Sequence, residues 1–306
     1  MLAEVFYWVV NMSILAGFTG LIVALLRKIP KIPRFAVYLL WLLPLIRFWV
    51  PFGPVSQWSL LSLISRFTTR TVMIQSEPGA PEFSMSNSIQ AADSYFPIVY
   101  KSDLLRNIFA VSSVIWAVIA AAAILTSIFL YTVTKRELRD ARHLRGSIWQ
   151  SGKITSPAVY GIFRARIIIP DFVSEQDLPY ILTHEKVHIQ RRDNLWRVIA
   201  IITACVHWFN PLSFIFLKWF LADMELACDS KALRILGEDH AKEYASALLS
   251  CAAGKSFFAS TFGGARTRVR IENILSYKKL TVLSTLAFGA LLAAVAFVLI
   301  TNAAGG

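Results

Sequence analysis

From Ile108 to Val133 the chain is almost wholly apolar and carries no charged residue, and this stretch constrains the fold more than any other. An apolar run of that length exceeds the roughly 20 residues that cross a bilayer, and in water it would need cover on every side. Three further stretches repeat the pattern. Ala3 to Leu26 comes first, Phe35 to about Val50 second, broken only by Pro44 and Arg47, and Leu280 to Ile300 last. The whole chain agrees: 56% of its 306 residues are hydrophobic and the mean hydropathy is +0.56, too apolar for an ordinary soluble domain. A secretion signal is disfavoured for the first stretch, because its start lacks basic residues and the positive charges follow it.

Those charges orient the spans. Arg27, Lys28, Lys31 and Arg34 follow the first; Lys135, Arg136, Arg139, Arg142 and Arg145 follow the third; Lys278 and Lys279 precede the fourth. Basic residues stay on the cytoplasmic side, so the 27–34 turn and the 134–279 segment are expected inside, with the 51–105 loop and both termini outside. The expected fold is a predominantly α membrane protein. Residues 1–52 hold two spans, 53–105 an outer amphipathic loop, 106–133 the third span, 134–279 a cytoplasmic domain, 280–301 the fourth span, and 302–306 an outer tail. Arg47, near the end of its span, is expected to snorkel to the far interface. The formal net charge of +12 then reads as a topology signal and attraction to the lipid surface. No nucleic-acid recognition motif accompanies it. Cys205, Cys228 and Cys251 show no pairing pattern and read as small buried apolar residues.

The chemistry is concentrated in Thr183-His184-Glu185-Lys186-Val187-His188, inside a run of helical character from Tyr180 to Arg192. His184 and His188 are four residues apart, so on a helix both imidazoles project from one face and can share a metal ion. Zinc suits the pair and leaves a coordination position for water. Glu185 sits beside the first ligand, where it can take a proton from the attacking water and pass it to the leaving amine. The bland reading is a solvated polar helix that happens to carry two histidines.

A third protein ligand is required, and Asp223, Glu225 and Asp229 lie together on a second helical stretch downstream. Phe216, Trp219, Phe220, Leu221, Leu226 and Ala227 surround them, and carboxylates amid so much apolar surface are costly unless paired or bound to metal. Glu225 is favoured as the ligand over Asp223 or Asp229, with Asp229 placed to fix a histidine tautomer. Upstream, Tyr160 to Pro170 has strand character and could offer an open edge to an extended peptide. Ser174 is a plausible N-cap for the metal helix. Val198 to Phe209 and Leu212 to Leu221 read as core helices broken at Asn210-Pro211. His207 reads as a core histidine or a group supporting the site.

The order of four spans, a strand ending Ile-Ile-Ile-Pro, His184-Glu185-x-x-His188-Ile189-x-Arg191-Arg192-Asp193, His207-Trp208-Phe209-Asn210-Pro211-Leu212, and Glu225-x-Ala227-Cys228-Asp229 resembles the integral-membrane gluzincin peptidases of the beta-lactam-sensing antirepressor (sensor-transducer) family. The resemblance covers almost the whole chain. It implies a cytoplasmic α+β zinc endopeptidase domain between the third and fourth spans, with His184, His188 and Glu225 as Zn2+ ligands, Glu185 as the catalytic carboxylate, and Asp229 as the supporting acid. Asp193 joins that motif as a further supporting acid.

The beta-lactam receptors of the family carry a penicillin-binding sensor after the fourth span, whereas this chain ends at Asn302-Ala303-Ala304-Gly305-Gly306. Beta-lactam sensing is therefore not carried over. The expected function is a signal-transducing peptidase that cuts a protein substrate, such as a cytoplasmic DNA-binding repressor, and cleaves itself between Ala253 and Arg270. Its expected partners are that substrate, the lipid bilayer and a second copy of the chain, with no direct nucleic acid. Two other readings are a housekeeping quality-control metalloprotease and a non-catalytic membrane scaffold with a structural metal.

Overall fold

The computed structural model describes residues 1–29, 32–50, 54–59, 103–162, 164–253, 267–277 and 281–303. Its elements begin with α1 (Leu2–Arg27), α2 (Arg34–Leu40), α3 (Leu42–Trp49), β1 (Val55–Ser56) and α4 (Asp103–Glu137). Four strands follow: β2 (Arg142–Arg145), β3 (Ile148–Gln150), β4 (Ala158–Tyr160) and β5 (Arg166–Ile169). Then come α5 (Leu178–Arg191), α6 (Asp193–Val206), α7 (Pro211–Leu236), α8 (Ala241–Ala253), α9 over 267–275, α10 (Val282–Ile300) and β6 (Asn302–Ala303). The chain is thus mostly helical with a small sheet, and it forms two compact units. One comprises Met1–Ile124, Thr203–Phe216 and Leu283–Gly306; the other comprises Leu125–Ile202 and Leu217–Val282.

Among the described residues two helices contribute apolar runs long enough to cross a membrane, Leu2–Arg27 in the first unit and Asn107–Asp140, which runs from the first unit into the second, with Ser284–Ile300 a shorter apolar helix. The second of them is mostly exposed: Val111 and Val118 are 61% and 62% exposed. The stretch expected as the second span is two short helices. Pro44 has no N–H to give to Leu40, and the chain bends between α2 and α3 at that turn. Gly20 on α1 lets the Phe216 ring lie against the helix backbone, since a Cβ there would come within 2.1 Å of Phe216 Cε2.

Arg47 does not snorkel. It is 2% exposed, and its guanidinium caps the C-terminal carbonyls of α10, with Nε donating to Leu299 O and Nη2 to Thr301 O, each at 3.0 Å, and Nη2 also to Ile300 O. Those carbonyls have no helical N–H of their own, and a buried cation at the negative end of the helix satisfies both charge and hydrogen bonding. Ser59 Oγ adds a bond to Thr301 O (2.7 Å), and β1 pairs with β6 in parallel beside it. At the other break, Asn210 Oδ1 accepts from Leu212 N (2.9 Å) and Pro211 opens α7, an Asn cap followed by proline in the first turn.

The second unit is built on a four-stranded sheet in the order β2-β3-β5-β4. The single strand expected over Tyr160 to Pro170 is instead the turn and second arm of the β4–β5 hairpin. Gly161 makes the turn: its φ is +94°, and a Cβ would meet Arg164 O at 2.5 Å. β5 lies inside the sheet, between β3 and β4, so the run Ile167-Ile168-Ile169 is buried and offers no open edge; the edge belongs to β4. Val159, Ile167 and Ile169 pack with Leu178, Leu182 and Ile189, which seats α5 on the sheet. The opposite face of α5 joins α7, α8 and α9 through Val187, Cys228, Leu233, Tyr244 and Ile274.

α5 starts at Leu178 with Asp177 as its N-cap position. Ser174 acts one turn earlier, accepting from Asp177 N (3.1 Å) and donating to its carboxylate (2.9 Å). Most of the 53–105 loop and the 254–266 part of the expected cleavage segment lie outside the described residues.

Candidate metal centre

His184 and His188 lie one turn apart on α5, both buried, with their Nε2 atoms 3.1 Å from each other. Each ring is held from behind through Nδ1. His188 Nδ1 meets Asp193 Oδ2 at 2.6 Å. The chain brings Asp193 there by ending α5 at Arg192 in the left-handed conformation (φ 56°) and starting α6 at once. His184 Nδ1 meets Tyr244 OH at 2.7 Å and Asp229 Oδ1 at 3.2 Å, while the Tyr244 hydroxyl donates to Asp229 Oδ1 at 2.7 Å. Acceptors behind both rings hold a proton on each Nδ1 and turn the two Nε2 atoms toward one another.

Glu225 on α7 faces that gap. Its Oε2 is 3.5 Å from His184 Nε2 and its Oε1 is 3.6 Å from His188 Nε2. An ion bound at about 2.0–2.1 Å by three N and O donors in a tetrahedral shell needs those donors about 3.3 Å apart. The two Nε2 atoms meet that requirement at 3.1 Å, while Glu225 approaches them with different oxygens, Oε2 toward His184 and Oε1 toward His188. Cys228 is a rival donor, since its sulfur and the two histidines also form a compact group. Its thiol, however, donates to the His184 carbonyl (3.4 Å) and its side chain sits in the apolar cluster with Val187 and Leu233. Glu185 is buried beside His184 at 6% exposure, and among the described residues no cation pairs with it.

Two arginines that no spacing rule singles out complete the cluster. Arg270, on α9, bonds both oxygens of Asp229 at 2.8 Å, and its Nη1 lies 3.5 Å from Glu225 Oε2. Arg197, on α6, donates to Glu225 Oε1 at 2.7 Å. The groups act on one another. Burial, the largest influence, lowers the histidines, yet Cys228, Tyr244 and Asp229 around His184, and Cys228, Glu225 and Asp193 around His188, hold both well above 6.5. Burial raises Glu225, but His188, His184 and Arg270 hold it well below the usual carboxylate value. Asp229 is likewise lowered against its burial, chiefly by Arg270.

His207 belongs to the other unit. Its ring packs on Phe48 with centroids 4.5 Å apart and edge-on to Trp49, and burial lowers it as in a core histidine. None of the contacts described for it supports a place beside the histidine pair. Asp223 is fully buried on α7; the acids that reach the two imidazoles are Glu225, Asp229 and Asp193.

A compact His-His donor set backed by acids is what a metal-dependent peptidase requires, and residues 7–274 match the BlaR1 peptidase M56 family. The chain belongs to that family. Its members are metal-dependent peptidases, and the matched span contains every residue of the centre just described. Among curated M56 relatives, it is 28% identical to the regulatory protein BlaR1 of Bacillus licheniformis over 182 residues, covering 54% of this chain and 30% of that protein. It is 29% identical to the methicillin resistance mecR1 protein of Staphylococcus aureus (strain Mu50 / ATCC 700699) over 114 residues, covering 36% of this chain and 20% of that protein. A third match, to BlaR1 of Staphylococcus aureus, is 28% identical over 109 residues. These matches span no more than a third of the relatives' own length.

Proposed function

We propose that this M56 chain is a membrane-embedded zinc endopeptidase that cuts a protein on the cytoplasmic side of the membrane as a step in signalling. The carrying observation is the mutual spacing of His184 Nε2, His188 Nε2 and Glu225 at 3.1–3.6 Å, with Glu185 buried next to the first of them. His184, His188 and Glu225 would hold the ion. Bound zinc would supply Lewis-acid polarisation of the scissile carbonyl and of the attacking water. The protein does the rest. Glu185 takes the water's proton and returns it to the leaving amine. Asp193 and Asp229 fix the imidazole tautomers, and Tyr244 is a positioning residue, committed to Asp229 and His184.

Membrane placement rests on α1, on the bare apolar surface of α4, and on α10. If all of these cross, the cap of Arg47 on α10 puts the end of α3 and the C-terminal end of α10 on one side, in keeping with the positive-inside arrangement. A cytoplasmic DNA-binding repressor is the substrate this reading favours, because the BlaR1 relatives are named as regulatory proteins. Self-cleavage between Ala253 and Arg270 is part of the same reading. The test is to reconstitute the purified chain with zinc and compare wild type with Glu185→Gln on an unstructured protein. Hydrolysis that persists in the variant at wild-type rate, with metal content equal, would sink the peptidase assignment.

A further inference from the structure

β4 closes one end of the sheet, so among the described residues one side of its backbone has no partner strand. The register identifies the groups on that side. Val159 pairs with Ile167, whose N–H goes to Ser147 O (2.8 Å), toward β3. Ile167 and Val159 therefore form a non-hydrogen-bonded pair, and the N–H and C=O of Val159 point away from the sheet. Gly161, in the turn that follows, presents its carbonyl to the same side chain as Val159 does.

One side chain takes both carbonyls. Asn194 Nδ2 donates to Val159 O at 2.9 Å and to Gly161 O at 3.0 Å. Two carbonyls spaced as alternate residues are the acceptors an added strand would use with its backbone N–H groups, and the two N–H bonds of the Asn194 primary amide occupy them instead. Asn194 is also tied to the metal centre. Its Oδ1 accepts from Arg197 Nη1 (3.3 Å), and Arg197 Nη2 donates to Glu225 Oε1 (2.7 Å).

We propose that Asn194 is an internal competitor for the peptide-docking edge: an extended peptide displaces it from Val159 and Gly161, and Arg197 relays the exchange to Glu225. The inference rests on the peptidase reading and deepens it, naming the substrate as a backbone-recognised extended peptide and naming the residue that regulates its entry. A plain brace between β4 and α6 would behave differently. Removing a brace loosens the edge strand and weakens peptide binding; removing a competitor strengthens it.

The test uses the full-length, zinc-loaded chain carrying Glu185→Gln, with fluorescein-labelled oxidised insulin B chain as probe, read by anisotropy. A second copy of the probe has alternate backbone amides N-methylated. With two neutral hydrogen bonds no longer competing, Asn194→Ala is expected to tighten the unmodified peptide about fivefold to tenfold. Zinc content should stay the same, and the methylated peptide should bind about tenfold more weakly to both proteins. With Glu185 restored, KM for the peptide should fall by a similar factor while kcat changes little. Unchanged or weaker binding by Asn194→Ala, or equal binding of the two peptides, overturns the proposal. Should Asn194→Ala fail to fold, hydrogen exchange on the Glu185→Gln parent decides: peptide addition should slow the amides of Val159 and Gly161, and unchanged exchange overturns the proposal. A wild-type chain that neither binds nor cuts the probe removes the peptidase reading, and this inference with it.

Discussion

Arg270 grips Asp229 with two parallel hydrogen bonds of 2.8 Å, Nε to Oδ2 and Nη2 to Oδ1. Asp229 is fully buried and lies 3.2 Å from His184 Nδ1. The guanidinium therefore makes a buried carboxylate tolerable, and the carboxylate in turn orients the His184 imidazole. α9 is joined by a short stretch of chain to α10, so the centre depends on a helix adjacent in sequence to the last apolar one.

Replacing Arg270 by Ala strands that carboxylate, and the expected cost is about 3 kcal/mol of stability. The sign of the pH effect follows from the direction of the shift. Asp229 is held below its ordinary value, so its contribution is complete above the unfolded carboxyl value of about 4 and is lost only as pH falls through the lower folded one. Without Arg270 the folded value rises, and stability should start to fall at a higher pH than in wild type. Arg270→Lys keeps the charge but not both prongs, and should lie between. Thermal unfolding at pH 7 and pH 5 measures this; an Ala variant equal to wild type at both would refute it.

The metal prediction separates Glu225 from Cys228. Purified chain should carry about one zinc, and Glu225→Ala should lose most of it. Cys228→Ala should keep it, because the thiol donates to the His184 carbonyl and packs among apolar side chains. Glu185→Gln should keep the metal and lose hydrolysis. Metal analysis after dialysis against a weak chelator reads all three. Zinc lost from Cys228→Ala and retained in Glu225→Ala would reverse the ligand assignment.

What could be read before any coordinates depended on local periodicity. The i, i+4 spacing of His184 and His188 predicts a shared helix face, and α5 supplies that face because the spacing and the helix repeat are the same geometry. The apolar runs fix helices for the same reason. Arg270 and Arg197 were not legible, since their partners lie 41 and 28 positions away and no local pattern marks them. The β4–β5 turn is hidden in the sequence because the β-branched run after Arg166 masks the break at Gly161. A glycine inside a strand pattern is the signal that points to such a break. Arg47 misled for a physical reason: an arginine at a helix end reads equally as a snorkelling side chain or as a cap for a distant C-terminus, and only the fold decides.

Self-cleavage yields a simple test. The 254–266 sequence carries Gly254, Gly263 and Gly264, which favours the extended backbone a protease needs at low cost. Wild type and Glu185→Ala, each tagged at both ends, are compared in membranes under inducing conditions. Wild type alone should release a fragment with its new end between Ala253 and Arg270. Equal clipping of the two proteins would end the idea.

The last prediction follows from the Arg47 cap. Because Arg47 closes the end of α10 and β1 pairs with β6, residues near 57 and near 302 must emerge on the same face of the membrane if their helices cross it. On the proposed positive-inside topology that face is the outer one and the metal centre lies on the inner side. With Cys205, Cys228 and Cys251 replaced, single cysteines are introduced at the exposed positions Gln57, Lys153 and Glu175. A membrane-impermeant maleimide applied to intact cells should label Gln57→Cys and spare the other two until the cells are opened. Arg47→Met should lower the thermal midpoint in detergent, since charged hydrogen bonds to three carbonyls are lost, each worth about 1.5–3 kcal/mol. Labelling of Lys153→Cys from outside would put the centre beyond the reach of a cytoplasmic substrate. An Arg47→Met protein as stable as wild type would show that the cap does not hold the two chain ends together.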